Sequence, residues 1–450
     1  MPRFRGKAEI VCENRAWKET GGIPAAAPDA PQCGAAALHA RFLLQQRNYG
    51  AYMKGKLVNK NMWKYVDWFL VAIIVILVGY SLLSILNATA SPFTGDESTF
   101  SEFMANLDLG TAGWQMIFFL IGLGCMFLVM LLDYHTLAHF TEWIYWICIA
   151  LLVAVLFFGS TQKGTSGWFM IGSRGFQPAE VCKILIIIVL AKIFADKTEG
   201  NDDGIQTFAD VFPMLWRMLL PVVLIAVQPD FGTAVVYVFV FIVMLFMAKV
   251  NWKVVLWLIL IAVAAGLLFL LYISQAEGGE GNYQWTRLLS FFSPDAQAVQ
   301  DADATLQVDQ AKMAIGSGQF FGKGLFTPGS LSQLGYVPES HNDFIFAVTV
   351  EAFGFLGGIV LIILYFLLIG RTFMLSLRAR DDFGAYIIIG VAAMMLFHVV
   401  ENIGMNVGIL PVTGIPLPFF SYGGSSMVTN CIAIGMVISV DMRRQRWQGQ

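Results

Sequence analysis

Between Ser274 and Asn342 the chain makes its one long polar excursion, and among the carboxylates gathered there are Asp295, Asp301, Asp303, Asp309 and Glu339. Only Arg287, Lys312 and Lys323 answer them with positive charge. A carboxylate held beside an attacking hydroxyl can take its proton, and Lys, Arg or a divalent cation can meet an anionic leaving group. These residue types therefore suit general-base chemistry on a substrate whose leaving group is already activated. His341 is the one histidine of the segment, which argues against a histidine-based mechanism or a multi-histidine metal site. No Ser or Cys triad is apparent, and no soluble domain gives a Ser-x-x-Lys motif a transpeptidase setting. Any one of these aspartates alone reads most plainly as a solvated loop acid; their concentration carries the expectation.

The elements that must position them are membrane spans. Hydrophobic residues make up 57% of the chain and charged ones 13%, and the mean hydropathy is +0.67, far from a soluble composition. Apolar runs long enough to cross a bilayer fall at about 67–87, 114–132, 142–159, 179–196, 214–228, 232–249, 254–273, 343–370, 384–404 and 424–441. The fifth is interrupted by Pro221 and closed by Gln228-Pro229-Asp230, so nine spans or a re-entrant pair is the alternative. The expected fold is an all-α polytopic membrane protein of about ten transmembrane helices, with one large extracytoplasmic loop between spans seven and eight. With 28 Lys and Arg against 31 Asp and Glu, no nucleic-acid partner is expected.

Positive charge orients the spans. Lys54, Lys56, Lys60 and Lys64 precede the first, and Lys197, Lys249, Lys253, Arg371, Arg378, Arg380, Arg443, Arg444 and Arg446 occupy alternate links thereafter. The 88–113 link holds Asp96, Glu97, Glu102 and Asp108 and neither Lys nor Arg. Both termini are thus expected in the cytoplasm and the 274–342 loop outside. The inner link at 133–141 is the exception, with His135 and His139 but no Lys or Arg. Residues 1–52, rich in Ala, Pro and Gly and lacking a signal-peptide apolar run, read as a disordered or non-native extension, with Met53 a natural start. A membrane domain is expected over 53–446 and a short tail over 447–450. The cysteines have neither disulfide nor metal spacing.

Polar side chains inside apolar spans are costly unless paired or facing a cavity. Glu180 and Lys183, spaced i,i+3, share a face of the fourth span and can pair, either to fix helix packing or to grip substrate. Asp230 after Gln228-Pro229 reads first as a cap for the next helix. Glu351 lies two turns into the eighth span, after His341 and Asp343 and near Gly354, Gly357 and Gly358. His398 and Glu401 read equally well as satisfied interior polars.

Two stretches are too particular for lipid packing. One is Val337-Pro338-Glu339-Ser340-His341-Asn342-Asp343-Phe344, running on to Glu351; the other is Leu410-Pro411-Val412-Thr413-Gly414-Ile415-Pro416-Leu417-Pro418-Phe419-Phe420-Ser421-Tyr422-Gly423-Gly424-Ser425-Ser426. Together with Gln177 to Lys183, Gln228 to Thr233, Tyr283-Gln284 with Arg287, and Gln310 to Gly318, they make residues 60–444 resemble the SEDS family of shape, elongation, division and sporulation proteins. Leu331-Ser332-Gln333-Leu334 is more similar to the RodA branch than to the FtsW branch.

The resemblance implies a peptidoglycan glycosyltransferase of the bacterial cytoplasmic membrane that polymerises lipid II into a growing glycan strand at the outer face, for elongation and cell shape. A division- or sporulation-type polymerase, a lipid-precursor flippase or transporter, and a scaffold that has lost catalysis are the alternatives. No organic cofactor is implied; a divalent cation, Mg2+ or Mn2+, would suit a diphosphate. The implied partners are a class B penicillin-binding protein, which would supply cross-linking, and the elongation or division machinery. The residues set for substrate are Glu180, Lys183, Asp230, Arg287, Lys312, Lys323, His341, Asp343, Glu351, Ser421 and Ser425. The family's essential Asp stands in an Asp-Pro-x-Gly-x-Gly-Tyr-Gln stretch, whereas this chain reads Gln300-Asp301-Ala302-Asp303-Ala304-Thr305-Leu306-Gln307. The Pro, both Gly residues and the Tyr are missing, which leaves the register open among Asp301, Asp303 and Asp295, in that order.

Overall fold

The computed structural model of the chain describes residues 62–91, 107–162, 165–172, 174–198, 205–275 and 303–444. The expected extension over 1–52, the Met53 start, the 447–450 tail, Arg287, Asp295 and Asp301 lie outside the described residues.

After a 3-10 turn at Met62–Tyr65, the long helices are α1 (Trp68–Thr89), α2 (Leu109–Leu131), α4 (Thr141–Phe158), α5 (Pro178–Thr198), α6 (Phe208–Val227), α7 (Phe231–Met247), α8 (Trp252–Gln275), α10 (Ile345–Ser376), α11 (Asp382–Asn406) and α12 (Gly424–Met442). Two shorter helices, α3 (Tyr134–His139) and α9 (Asp303–Ser317), lie in links. Among the described residues seven helices, α1, α2, α4, α6, α10, α11 and α12, are long and apolar enough to cross a membrane. The chain is therefore a helical, multi-pass membrane protein, as its composition requires. The helices α5, α7 and α8 fall where the remaining spans were expected; α5 is set apart by Glu180, Lys183, Lys192, Asp196 and Lys197 along its length.

Burial identifies the middle of the bundle. Of the apolar stretches, 78% of α11 and 83% of α12 are buried, against 28% of α2 and of α6. The two inner helices surrender lipid contact for protein contact, and small residues permit the close approach. A Cβ on Gly122 of α2 would stand 2.7 Å from Cys431 Sγ on α12. The outer helices instead show lipid a bare apolar face, as α4 does with Trp143, Trp146 and Ile147.

The link from α4 to α5 adds a feature the sequence reading did not contain, a small antiparallel sheet of β1 (Ser160–Gln162), β2 (Thr165–Ile171) and β3 (Arg174–Phe176), in that order. Phe169 pairs with Phe176 and Ile171 with Arg174. This hairpin sets Arg174 and Gln177 immediately before the start of α5.

The end of the polar excursion is fastened to α10. Gly354 has φ 71° and ψ −171°, a conformation essentially confined to glycine, and it breaks the helical ladder there. The freed backbone pairs with residues 319–324: Lys323 N donates to Glu351 O at 2.9 Å, Gly324 N to Ala352 O at 3.0 Å and Phe355 N to Gln319 O at 2.9 Å. Helix α9 rests on the same region, burying Ala311 and Ala314 with Phe344, Ala347, Val348 and Met405.

The link at 133–141, which has neither Lys nor Arg, holds a histidine between two acids. His135 Nδ1 lies 2.9 Å from Asp133 Oδ1 and Nε2 lies 3.5 Å from Asp381 Oδ2. The two carboxylates raise its pKa to about 9. The ring is cationic at neutral pH and is answered by both carboxylates, so it ties the link to Asp381 without giving it a net positive charge.

Candidate active site

The starts of α5, α7 and α12 and the segments 342–343 and 413–416 line a cavity of about 290 Å³ with an inner extension of about 80 Å³. Trp168, Gln177, Glu180, Asp343, Gly414 and Pro416 line both parts; Lys183, Asp230, Thr233 and Thr413 wall the inner one.

Glu180 and Lys183, one turn apart on α5, pair at 2.6 Å with exposures of 4% and 3%. An ion pair buried this deeply is tolerated because its members meet; either alone would be an uncompensated charge. Lys183 Nζ also lies 3.0 Å from His398 Nε2 on α11. Asp230 is a cap, accepting from Thr233 N at 3.1 Å, yet its other oxygen accepts from Gln177 Nε2 at 2.7 Å and the residue lines the cavity. The cap reading and the cavity reading are both realised in one side chain.

Three helix N-termini converge here, and the positive end of each dipole faces the same space. At α12 no side chain caps the first turn, and Gly424, Ser425 and Ser426 line the cavity. Backbone N–H groups in that state are suited to an anion. Ser425 Oγ accepts from Gln177 N at 3.1 Å, tying α12 to α5. The Arg174 guanidinium stacks 3.5 Å over the Trp114 ring, donates to the Tyr422 hydroxyl at 2.9 Å and lines the outer part.

The two particular stretches of the sequence are stitched to each other. Tyr422 N donates to His341 O at 2.9 Å, Ser421 Oγ donates to Asn342 O at 2.7 Å, and the His341 ring meets that of Tyr422 edge-on at 5.6 Å. Asn402 and Asn406 of α11 each donate to Asp343 O at 3.0 Å. Asp343 is thereby set into the cavity wall, while its neighbour Phe344 is gripped beneath α9.

Of the residues expected to meet substrate, Glu180, Lys183, Asp230, Asp343 and Ser425 are thus brought together. Others serve elsewhere. Glu351 accepts from Leu331 N at 2.7 Å, Ser332 N at 2.9 Å and Lys323 Nζ at 2.9 Å, so this pair braces the 323–332 segment onto α10. Lys312 is half exposed beside Asp309, Ser421 and His341 are stitches, and Asp303 begins α9. Sequence reasoning passed over Arg174 and Trp168. A signal existed, because Lys163 and Arg174 put positive charge in a link that the orientation places outside.

Among the described residues no three His, Cys, Asp or Glu side chains stand together as a metal-binding group.

Comparison with known proteins fits this geometry. The FtsW/RodA/SpoVE cell cycle protein family matches residues 65–446. Peptidoglycan glycosyltransferase MrdB of Escherichia coli K12 is 35% identical over 303 residues, which span 67% of this chain and 78% of that protein. Stage V sporulation protein E of Bacillus subtilis is 32% identical over 378 residues, 83% of this chain and 96% of the relative. Among solved structures, the rod shape determining protein RodA of Thermus thermophilus superposes with a TM-score of 0.60 at 27% identity, covering 85% of this chain and 98% of that one. A chain from a peptidoglycan synthase complex, described as coordinating polymerization and crosslinking, gives a TM-score of 0.65 at 26% identity over 85% and 99%.

Proposed function

The chain belongs to the FtsW/RodA/SpoVE family of cell cycle proteins, and on that premise we propose that it is a peptidoglycan glycosyltransferase, polymerising lipid II at the outer face of the bacterial cytoplasmic membrane. The observation that carries the reading is the cavity in which Arg174, Lys183 and the uncapped start of α12 face Glu180 and Asp343. A diphosphate-linked sugar needs such a place: cations and backbone N–H groups for the departing diphosphate, carboxylates for sugar hydroxyls.

In the proposed reaction an outer-loop aspartate, Asp301 first, removes the proton from the attacking sugar hydroxyl. That oxygen bonds to the donor's anomeric carbon as the bond to the diphosphate breaks, with inversion. The lipid diphosphate leaves against Arg174 and the α12 start. Asp343, held by α11, lines the cavity that holds the donor, and its neighbour Phe344 packs against α9, the helix that follows the segment supplying the base. A divalent cation, Mg2+ or Mn2+, would supply further charge for the diphosphate, and assays with and without each ion test for it.

The role in elongation and the cytoplasmic placing of both termini belong to the same proposal. So does a class B penicillin-binding protein as partner, since a structural neighbour comes from a complex joining polymerization to crosslinking. Purified protein given fluorescent lipid II should yield a ladder of glycan polymer. Translocation of lipid II across vesicles without polymer would replace the reading with a flippase, and neither activity would leave a scaffold.

A further inference from the structure

Behind the inner cavity wall, against Lys183 and Thr413, α11 presents two titratable side chains that the mechanism above does not use. His398 is 1% exposed and Glu401 3%. Each has a polar atom with no partner, His398 Nδ1 and Glu401 Oε2, although burying such atoms is costly. They lie one helical turn apart on the same face. The other atom of each is engaged: His398 Nε2 lies 3.0 Å from Lys183 Nζ, and Glu401 Oε1 accepts from the Thr413 hydroxyl at 2.5 Å. Lys183 and Thr413 both wall the inner cavity.

The proton assignment follows from donor and acceptor chemistry. An ammonium only donates, and Lys183 is an ammonium because it pairs with Glu180. His398 Nε2 must therefore accept, which makes the ring neutral and puts its one proton on Nδ1. A buried Nδ1–H donor and a buried carboxylate oxygen, one turn apart and not hydrogen-bonded to each other, are complementary ends that one bridging water would satisfy.

We propose that His398 is a positioning residue for Lys183: its neutral Nε2 holds the ammonium at the inner cavity wall, and Glu401 fixes the His398 tautomer through a shared water. The logic is that of an oriented base, in which a third group sets which ring nitrogen carries the proton. Here the ring steers a cation instead of taking a proton from a nucleophile. The consequence for the reaction rests on the glycosyltransferase reading, whereas the tautomer does not.

Two measurements separate these. Solid-state NMR of the full chain in bilayers, labelled with 15N-histidine and assigned at 398 by subtracting the His398→Gln spectrum, should show a neutral ring protonated at Nδ1. An imidazolium, or a proton on Nε2, would overturn the proposal whether or not the protein makes glycan. In Glu401→Leu the Nδ1 resonance should shift while Glu401→Gln, which keeps an acceptor, shifts it less; no shift in either removes Glu401 from the arrangement. In the lipid II assay, His398→Leu should raise KM about tenfold with kcat little changed, the mark of lost binding from one charged hydrogen bond. His398→Gln, whose amide oxygen can accept from Lys183, should restore KM. Equal KM in all three proteins, with only thermal unfolding lowered in His398→Leu, would reduce His398 to packing.

Discussion

Arg174 and Tyr422, 248 positions apart, are joined by a 2.9 Å hydrogen bond from guanidinium to hydroxyl in the wall of the cavity. One comes from the hairpin before α5 and the other from the turn before α12, so the contact closes two separate elements over one space. Stacking on Trp114 holds the guanidinium plane while leaving its edge able to meet an anion.

Arg174→Ala should therefore lower glycan synthesis from lipid II by on the order of 10²–10³-fold, the scale of a lost transition-state donor. Arg174→Lys should recover little, because an ammonium neither stacks nor forks. Initial rates across lipid II concentrations are the measurement, and wild-type rates in both variants would take Arg174 out of the site.

The Glu180–Lys183 pair predicts a particular pattern of stability. Glu180→Gln and Lys183→Met alone each leave a buried charge unanswered, a change of about 3–5 kcal/mol. The double variant removes both charges and should unfold at a higher temperature in detergent than either single one. Additive losses in the double variant would show that the two side chains do not depend on each other. Activity should be lost in all three.

For the base, Asp301→Asn keeps size and hydrogen-bonding reach but cannot accept a proton, so lipid II should still bind while polymerisation falls about 10²–10⁴-fold. Asp303→Asn and Asp295→Asn should then be mild. Loss in Asp303→Asn with Asp301→Asn intact would move the register by two residues and keep the mechanism; three active variants would end the outer-loop aspartate as base.

His135 gives a pH prediction. Asp133 first and Asp381 next raise its pKa to about 9 in the folded protein, above the roughly 6.5 of an unfolded histidine. A raised pKa means the stabilisation is fully present below pH 6.5 and is lost as pH rises through about 9. Thermal unfolding of the wild type should fall across that window relative to His135→Gln. Parallel curves for the two proteins would show that the ring does not stay charged between its carboxylates.

The membrane character, the helical class and the approximate limits of the spans were legible in the chain, because a bilayer demands long apolar runs and the sequence must supply them locally. The i,i+3 pairing of Glu180 with Lys183 was legible for the same reason: helical periodicity alone puts both on one face. The family was legible too, from Pro338 to Glu351 and Leu410 to Ser426.

What periodicity could not carry was which polar residues share a space. Glu351 and Asp343 sit eight positions apart and look alike in sequence, yet one is consumed bracing Lys323 and two backbone amides while the other faces the cavity. The glycine break at Gly354 separates their fates, since it gives residues 319–324 a strip of free backbone beside Glu351. Arg174 was likewise ordinary until the hairpin placed it over Trp114. Apolar burial is written along each span one residue at a time, but the cavity is made where the starts of α5, α7 and α12 meet the 342–343 and 413–416 segments, and only their packing decides which side chains face it.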